Sequence, residues 1–176
     1  MSKIPLLVIA GFIFLGVLVL AVPLAGASTG GGPEQPVAFT HLTHAKDLGI
    51  ECQFCHRNVD KGANASVPAV GQCMFCHKVV NGDNPSVQPA KATEIQKVRD
   101  AFNNNEPINW VRVHRVPDHV RFVHEAHIKA GFQCSQCHGD VANMERVKQV
   151  RSLGMGDCLG CHRTNNAPTD CTICHK

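Results

Sequence analysis

The apolar positions of the chain are unevenly distributed, and the longest apolar run lies near its start. Lys3 is followed by residues 4–22, which contain no charge, and small or apolar residues continue from there to position 27. A bilayer-spanning helix needs about 20 such residues, whereas the apolar core of a cleavable signal peptide has about 7–15. The run therefore predicts a retained transmembrane anchor at residues 1–27. The Ala-Gly-Ala sequence at 25–27 also resembles a cleavage site, which is the alternative.

Beyond the anchor, composition and periodicity predict a linker and a first helix. Residues 28–38 are rich in Ser, Gly and Pro, which is typical of a flexible linker. Thr93 and Gln96 have the spacing of a capping box, with Thr93 as the N-cap. The helix is expected to run to about Asn103 and to stop before Pro107.

A second helix is predicted further along, between the third and fourth of the cysteine motifs described below. Met144, Val147 and Val150 share one face of a helical wheel. That spacing predicts a helix from about Val141 to Val150.

One five-residue pattern, Cys-x-x-Cys-His, occurs five times and uses all 10 cysteines. It is the attachment motif of c-type haem, in which two thiols bond the porphyrin and the adjacent imidazole becomes the proximal iron ligand. The pattern predicts five covalently bound haem c groups. The attaching residues are Cys52, Cys55, Cys73, Cys76, Cys134, Cys137, Cys158, Cys161, Cys171 and Cys174. The proximal ligands are His56, His77, His138, His162 and His175.

Zinc sites and disulfides are the competing interpretations of these cysteines. Zinc would pair the motifs two by two into four-ligand sites, but five is an odd number. Neither zinc nor a disulfide framework explains a histidine directly after every second cysteine. Haem is therefore the favoured interpretation.

Composition limits how such a chain can fold. It has 8 Phe, 1 Trp and no Tyr in 176 residues, which is a poor supply of aromatic side chains for a core. Five porphyrins would supply that core instead. The expected fold is a multihaem cytochrome c, mostly loops with short α-helices wrapped round five haems, plus the N-terminal transmembrane helix. The formal charge of +3 is modest and the basic residues are scattered, so no nucleic-acid partner is expected.

An internal repeat organises the predicted haem domain, residues 39–176. Phe-x-His-x-x-His precedes the first motif at 39–44 and the third at 122–127, and each of these motifs is followed by a further one. The offset is 83 residues at the histidines and 82 at the cysteines, so the second copy is one residue shorter. We expect two-haem units at 39–80 and 122–165, a connecting segment at 81–121 and the fifth haem at 166–176.

Six of the 11 histidines remain to serve as distal ligands of five irons. They fall in clusters upstream of the motifs, which favours bis-histidine ligation, closed to substrates. Met144 and Met155 are further distal candidates, although core packing is the alternative role for both. The six histidines are His41, His44, His114, His119, His124 and His127.

Residues 110–127, Trp-Val-Arg-Val-His-Arg-Val-Pro-Asp-His-Val-Arg-Phe-Val-His-Glu-Ala-His, resemble the class III (c3/c7-like) multihaem cytochromes. The resemblance implies that His41 and His124 serve the haem of the motif that follows each, and that His44 and His127 cross over to neighbouring haems. It also implies that His114 is a distal ligand and His119 the spare. On that basis His114→Ala is expected to make one iron high-spin. Retained low-spin haems would instead assign the ligand to His119 or a methionine.

The five motifs, the single anchor and the stretch from Cys137 to Cys158 together resemble the pentahaem subunit of alternative complex III, a bacterial quinol:acceptor oxidoreductase. The resemblance implies an iron–sulfur subunit, polytopic quinol-site subunits and a monohaem cytochrome c as partners. The chain would be an electron carrier without catalytic residues. Lys3 predicts a cytoplasmic N-terminus, which places the haem domain on the periplasmic, outer side of the cytoplasmic membrane, where haem c is attached. One departure is Asp157 before Cys158, where such chains carry an aromatic residue.

Two other functional classes are less favoured. A pentahaem nitrite reductase, or another periplasmic multihaem reductase, has a far longer chain and a motif in which Lys replaces His. A stand-alone membrane quinol dehydrogenase of the NapC/NirT type has a four-haem pattern, and one anchor helix leaves little room for a quinol site.

The haem count is the first testable prediction. The visible spectrum of the purified protein, combined with haem quantification, is expected to give five haem c groups per chain. Bound zinc, or fewer than five haems, would contradict the interpretation of the motifs.

Overall fold

Short helices joined by long loops make up the part of the chain that the computed structural model describes, residues 31–84 and 88–176. The predicted anchor at 1–27 lies outside the described residues. From Gly32 onward the chain forms one unit. Within the two described ranges, no helix has both the length and the apolar character that crossing a bilayer requires.

The helices are short because most of them carry only one cysteine motif. The described residues contain no β-strand, and their only isolated bridge is antiparallel, between Val120 and His175. The expectation of loops and short helices is therefore confirmed. The α-helices are α1 (Cys52–Cys55), α2 (Val70–His77), α3 (Pro89–Asn103), α4 (His124–Lys129), α5 (Ser135–His138), α6 (Met155–Thr164) and α7 (Cys171–Cys174); a π-helix spans Leu42–Asp47 and a 3₁₀ turn spans Val141–Asn143.

Helix α3 begins four residues before the predicted N-cap, so the predicted capping box is wrong. Pro89 occupies the first turn, where its fixed φ suits a helix and its missing N–H would have no partner. Thr93 is inside the helix, and its hydroxyl donates to the carbonyl oxygen of Pro89 at 3.2 Å. Gln96 donates to Asp100 one turn later instead of capping. Proline at the first turn outweighed the local capping pattern.

The predicted end of α3 at Asn103 is confirmed, and a Schellman motif produces it. Asn105 has a φ of +56°, a conformation that asparagine tolerates better than most residues. The N–H of Asn105 donates to Phe102 O at 3.1 Å, and the N–H of Glu106 donates to Ala101 O at 2.8 Å. These two bonds satisfy carbonyls that the helix leaves unpaired.

The helix predicted for 141–150 is wrong. Only the 3₁₀ turn Val141–Asn143 forms, and Met144 already has an extended backbone. Asp140 stabilises this turn by accepting a hydrogen bond from the side chain of Asn143 at 2.6 Å. Gly139, with a φ of +71°, turns the chain so that Val150 packs against it. The apolar spacing therefore reflects packing around a glycine rather than a helical face.

The largest protein core lies between α2 and α3. Met74 of α2 is 4% exposed and packs with Val37 and Val98. Arg99 of α3 donates to the carbonyl oxygen of His77 at 2.5 Å, which satisfies the C-terminal end of α2. This helix pair therefore holds the second cysteine motif rigidly. Partly buried neighbours of the core are Val70, Cys73, Ile108 and Trp110.

The last residues of the predicted linker are anchored to this core. The side chain of Gln35 donates to Val111 O at 3.0 Å and accepts from Val111 N at 2.8 Å. Ala38 N donates to Glu94 of α3 at 2.7 Å. These bonds fix the chain entering the first repeat, although the linker composition gave no sign of them.

Replacing Met74 with alanine is expected to destabilise the haem-loaded protein by about 2–5 kcal/mol, because it opens a cavity in the small core. The measurement is denaturant unfolding followed by far-UV circular dichroism. Met155→Ala is the matched control, because Met155 is 64% exposed. Equal loss in both variants would contradict the position of the core.

Candidate haem-binding sites

The cysteine motifs present thiols and apolar side chains at or near the surface, except that Cys73 and Met74 of the second motif border the protein core. All ten thiols are free. The residue before the second cysteine is large and exposed in three motifs, and the exposed fractions are 44% for Phe54, 64% for Phe75 and 48% for Ile173. Free thiols beside uncovered apolar side chains are what a covalently attached apolar plate requires.

Four histidine pairs face each other at nearly the distance that two axial ligands of one metal need. A metal–imidazole bond is about 2 Å long, so two imidazoles on opposite sides of one ion have ring centroids roughly 6 Å apart. Each pair joins one proximal histidine of a motif to one of the six remaining histidines. The separations are 6.3 Å for His44–His77, 6.3 Å for His124–His138, 6.1 Å for His127–His162 and 5.5 Å for His119–His175.

His41 lies close enough to the remaining proximal histidine, His56, to interact with it electrostatically. Burial lowers the pKa of His41 to about 4, with smaller contributions from His56 and His44. Burial likewise lowers the pKa of His138 to about 4, with His114 and His124 adding to it. Low pKa values keep these imidazoles neutral, which is the form that binds a metal.

Hydrogen bonds select the tautomer of six of these histidines. In each, Nδ1 lies within hydrogen-bond distance of a backbone carbonyl, which can only accept. Nδ1 must therefore carry the proton, and the Nε2 lone pair is left free for a metal. The distances are 2.9 Å for His44 to Thr40 O, 2.7 Å for His56 to Ser66 O, 2.9 Å for His77 to Val80 O, 2.7 Å for His124 to Ala63 O, 2.9 Å for His127 to Val123 O and 2.5 Å for His162 to Pro168 O.

The two Phe-x-His-x-x-His segments have the same local geometry. The ring of Phe39 stacks on His44 at 4.4 Å and meets His41 edge-on at 5.0 Å. In the second copy, Phe122 stacks on His127 at 4.8 Å and meets His124 edge-on at 4.8 Å. One phenyl ring therefore orients two imidazoles that face different motifs, which explains the spacing of the pattern.

The fifth motif is fastened to the connecting segment by backbone contacts. Arg121 N donates to Cys174 O at 2.7 Å, and Lys176 N donates to His119 O at 3.2 Å, on either side of the bridge between Val120 and His175. The imidazoles of His119 and His175 are nearly parallel, at 15°. His119 therefore faces the fifth motif, a placement that local sequence patterns did not indicate.

His114 occupies a different position from the facing pairs. Its Nε2 lies 3.3 Å from Nδ1 of His138, and the two rings are nearly perpendicular, with centroids 4.4 Å apart. In His56, His77 and His162, by contrast, Nδ1 is hydrogen-bonded to a backbone carbonyl. His114 thus contacts the back of a proximal histidine, while His124 stands across from the same ring.

The first motif lies next to both the second and the third. The side chain of Gln72 donates to Phe54 O, and the guanidinium of Arg57 lies 5.8 Å from the centre of the Phe75 ring. Burial raises the pKa of the Cys52 thiol, and the nearby Cys134 thiol of the third motif adds to the effect.

The fourth motif connects the third to the fifth. Arg151 donates to Gln136 O at 3.2 Å and forms an ion pair with Asp157 at 2.5 Å. Asp157, the departure from the expected aromatic residue, therefore ties the fourth motif to the third. Burial raises the pKa of the Cys158 thiol, and nearby Asp157 and Cys174 add to the effect. Neighbouring residues therefore link the second motif to the first, the first to the third and the third to the fourth, and Cys174 of the fifth motif lies near Cys158.

The two candidate methionines are placed away from the facing pairs. Met155 is exposed at the start of α6. The terminal methyl of Met144 packs against Gly139, 3.4 Å from where a Cβ would stand. Within residues 31–84 and 88–176, no three His, Cys, Asp or Glu side chains converge on a possible site for a bare metal ion. The donor groups suit haem c, because each motif supplies two thiols and one imidazole, and a second imidazole faces four of the five motifs.

Comparison with known proteins agrees with this geometry. Residues 21–108, half of the chain, match the class III cytochrome c family, and residues 120–176 match cytochrome c7 and related cytochrome c. The chain therefore belongs to the class III cytochrome c family of multihaem electron-transfer proteins.

One relative is the "Menaquinone reductase, multiheme cytochrome c subunit" of Nitratidesulfovibrio vulgaris, strain Hildenborough. It is 28% identical over 169 residues, covering 81% of this chain and 77% of the relative. The resemblance to class III cytochromes inferred from residues 110–127 is confirmed at the level of the family.

Proposed function

We propose that the chain is a pentahaem electron-transfer subunit that holds one haem c at each of its five motifs and performs no catalysis itself. The observation that carries this proposal is the partnering of four of the five proximal histidines with a second imidazole, at ring separations of 5.5 to 6.3 Å. When bound, the haems would supply one-electron redox chemistry at low-spin iron.

We infer the distal axial ligand of each site from the histidine that lies nearest its proximal histidine. His41 would serve the first site, His44 the second, His124 the third and His127 the fourth, so the crossing histidine of each repeat reaches the next motif of the same repeat. His119, rather than His114, would serve the fifth site. Met144 and Met155 would have packing and surface roles.

Two imidazoles at every site favour a carrier over a reductase. A reductase needs an iron with an open axial position, whereas four proximal histidines here have a facing imidazole and His41 would close the remaining site. The hydrogen bonds to Nδ1 hold these imidazoles in place, so little rearrangement would accompany a change of oxidation state.

A quinone-linked membrane complex is the proposed setting. The relative is named as a subunit of a menaquinone reductase, and the sequence resembles the pentahaem subunit of alternative complex III. Residues 1–27 would anchor the chain with its haem domain on the outer side of the cytoplasmic membrane. An iron–sulfur subunit and polytopic quinone-site subunits would be neighbours. Electrons would leave a quinol for a monohaem cytochrome c or soluble acceptor, as in alternative complex III. The relative's name supports menaquinone reduction, the opposite direction, as the second candidate.

Replacing His119 with alanine is expected to convert one of the five haems from low-spin to high-spin, because the fifth iron loses its second imidazole. Electron paramagnetic resonance of the oxidised protein and carbon monoxide binding by the reduced protein measure this. Met144→Ala and Met155→Ala are the controls and should leave every haem low-spin. A low-spin His119→Ala variant, or a high-spin methionine variant, would refute the assignment.

Purification in mild detergent tests the membrane complex. The chain should co-purify with an iron–sulfur protein and polytopic subunits, and added menaquinol should reduce its haems only in that assembly. Isolation as a single 19.0 kDa chain that retains full quinol-linked activity would contradict the complex.

A further inference from the structure

The third motif differs from the others in how its proximal histidine is oriented. Three other proximal histidines donate from Nδ1 to a backbone carbonyl, at Ser66, Val80 and Pro168. His138 instead points Nδ1 at a side chain, the Nε2 atom of His114, at 3.3 Å. The two rings are nearly perpendicular, at 84°, with centroids 4.4 Å apart.

We propose that His114 is a positioning residue for the third haem site, accepting a hydrogen bond from Nδ1 of His138 rather than binding iron. The inference rests on the proposed function, because it concerns how this chain tunes one of its haem sites.

The path of the chain after the motif explains why a side chain takes this role. After the first motif, the chain returns and places Ser66 O beside His56, ten residues on. After the third motif, Gly139 turns the chain in a conformation with positive φ, and Val150 packs against it. His114 approaches from the segment before the motif and supplies the acceptor there.

Iron at the third site would define the proton positions of both partners. With iron bound at Nε2, on the side of the parallel His124 ring, His138 would carry its proton on Nδ1. His114 must then be unprotonated at Nε2 and protonated at Nδ1. This tautomer of His114 cannot donate to His138, so the direction of the bond is fixed.

The consequence is a more electron-rich ligand at the third site. An imidazole nitrogen is a more basic acceptor than a carbonyl oxygen, and a stronger bond from Nδ1 raises the basicity of the ligating nitrogen. A more basic ligand stabilises oxidised iron. The third haem would therefore have a lower reduction potential than the same site without His114.

Two variants of the haem-loaded, full-length protein test this role. His114→Leu removes the acceptor and retains most of the volume, whereas His114→Gln returns an acceptor oxygen. Redox titration followed by visible absorbance should show one of five potentials shifted to more positive values in the leucine variant. The glutamine variant should return that potential toward the wild-type value. Val111→Ala, an exposed position on the same segment, is the matched control and should leave all five unchanged.

Three results would overturn the inference: a high-spin haem in the leucine variant, five unchanged potentials there, or a glutamine variant with the same shift as leucine. Loss of one haem from the leucine variant alone supports the role, because His138 then needs the acceptor for binding, whereas loss from both variants overturns it. A wild-type protein with fewer than five low-spin haems would contradict the proposed function itself, so the two failures are distinguishable.

Discussion

The bond from an imidazole Nδ1–H to a fixed acceptor is the interaction on which the rest of the structure depends. It decides which ring nitrogen stays free, and it fixes the direction in which that nitrogen points. A chain with so small a buried core has few other means of orienting histidines. The long loops around α1, α2 and α6 therefore have a structural role, because they deliver the carbonyls of Ser66, Val80 and Pro168 to their proximal rings.

The internal repeat gives two copies of this arrangement, and the connecting segment contributes the histidines that lie beside the third and fifth motifs. Phe39 and Phe122 orient equivalent histidine pairs in the two repeats. The fifth motif has no Phe-x-His-x-x-His segment of its own, and its facing imidazole comes from the connecting segment through His119. The same segment brings His114 to the third motif. One irregular stretch thus completes two sites in different ways.

The motifs that would attach haem are visible in the sequence, whereas the pairing of side chains from distant segments is not. The five motifs, the loop-rich architecture and the end of α3 follow from patterns within a few residues. His114 and His119 are only five residues apart and look equivalent as sequence. What distinguishes them is the partner of each: His114 contacts His138 and His119 faces His175, and both partners lie in later segments of the chain. The helix predicted for 141–150 failed for a related reason, because Val150 and Met144 pack on Gly139, a tertiary contact.

The bridge between Val120 and His175 also bears on how the sites assemble. His41 and His56 at the first motif are 15 positions apart in the sequence, and His119 and His175 at the fifth motif are 56 positions apart. Loop closure costs about 0.6 kcal/mol more for each doubling of length, so the fifth pair bears roughly 1 kcal/mol of additional entropy. The backbone bonds on either side of that bridge offset this cost. The pair of histidines farthest apart in the sequence is thus held together by backbone hydrogen bonds between the two segments that carry them.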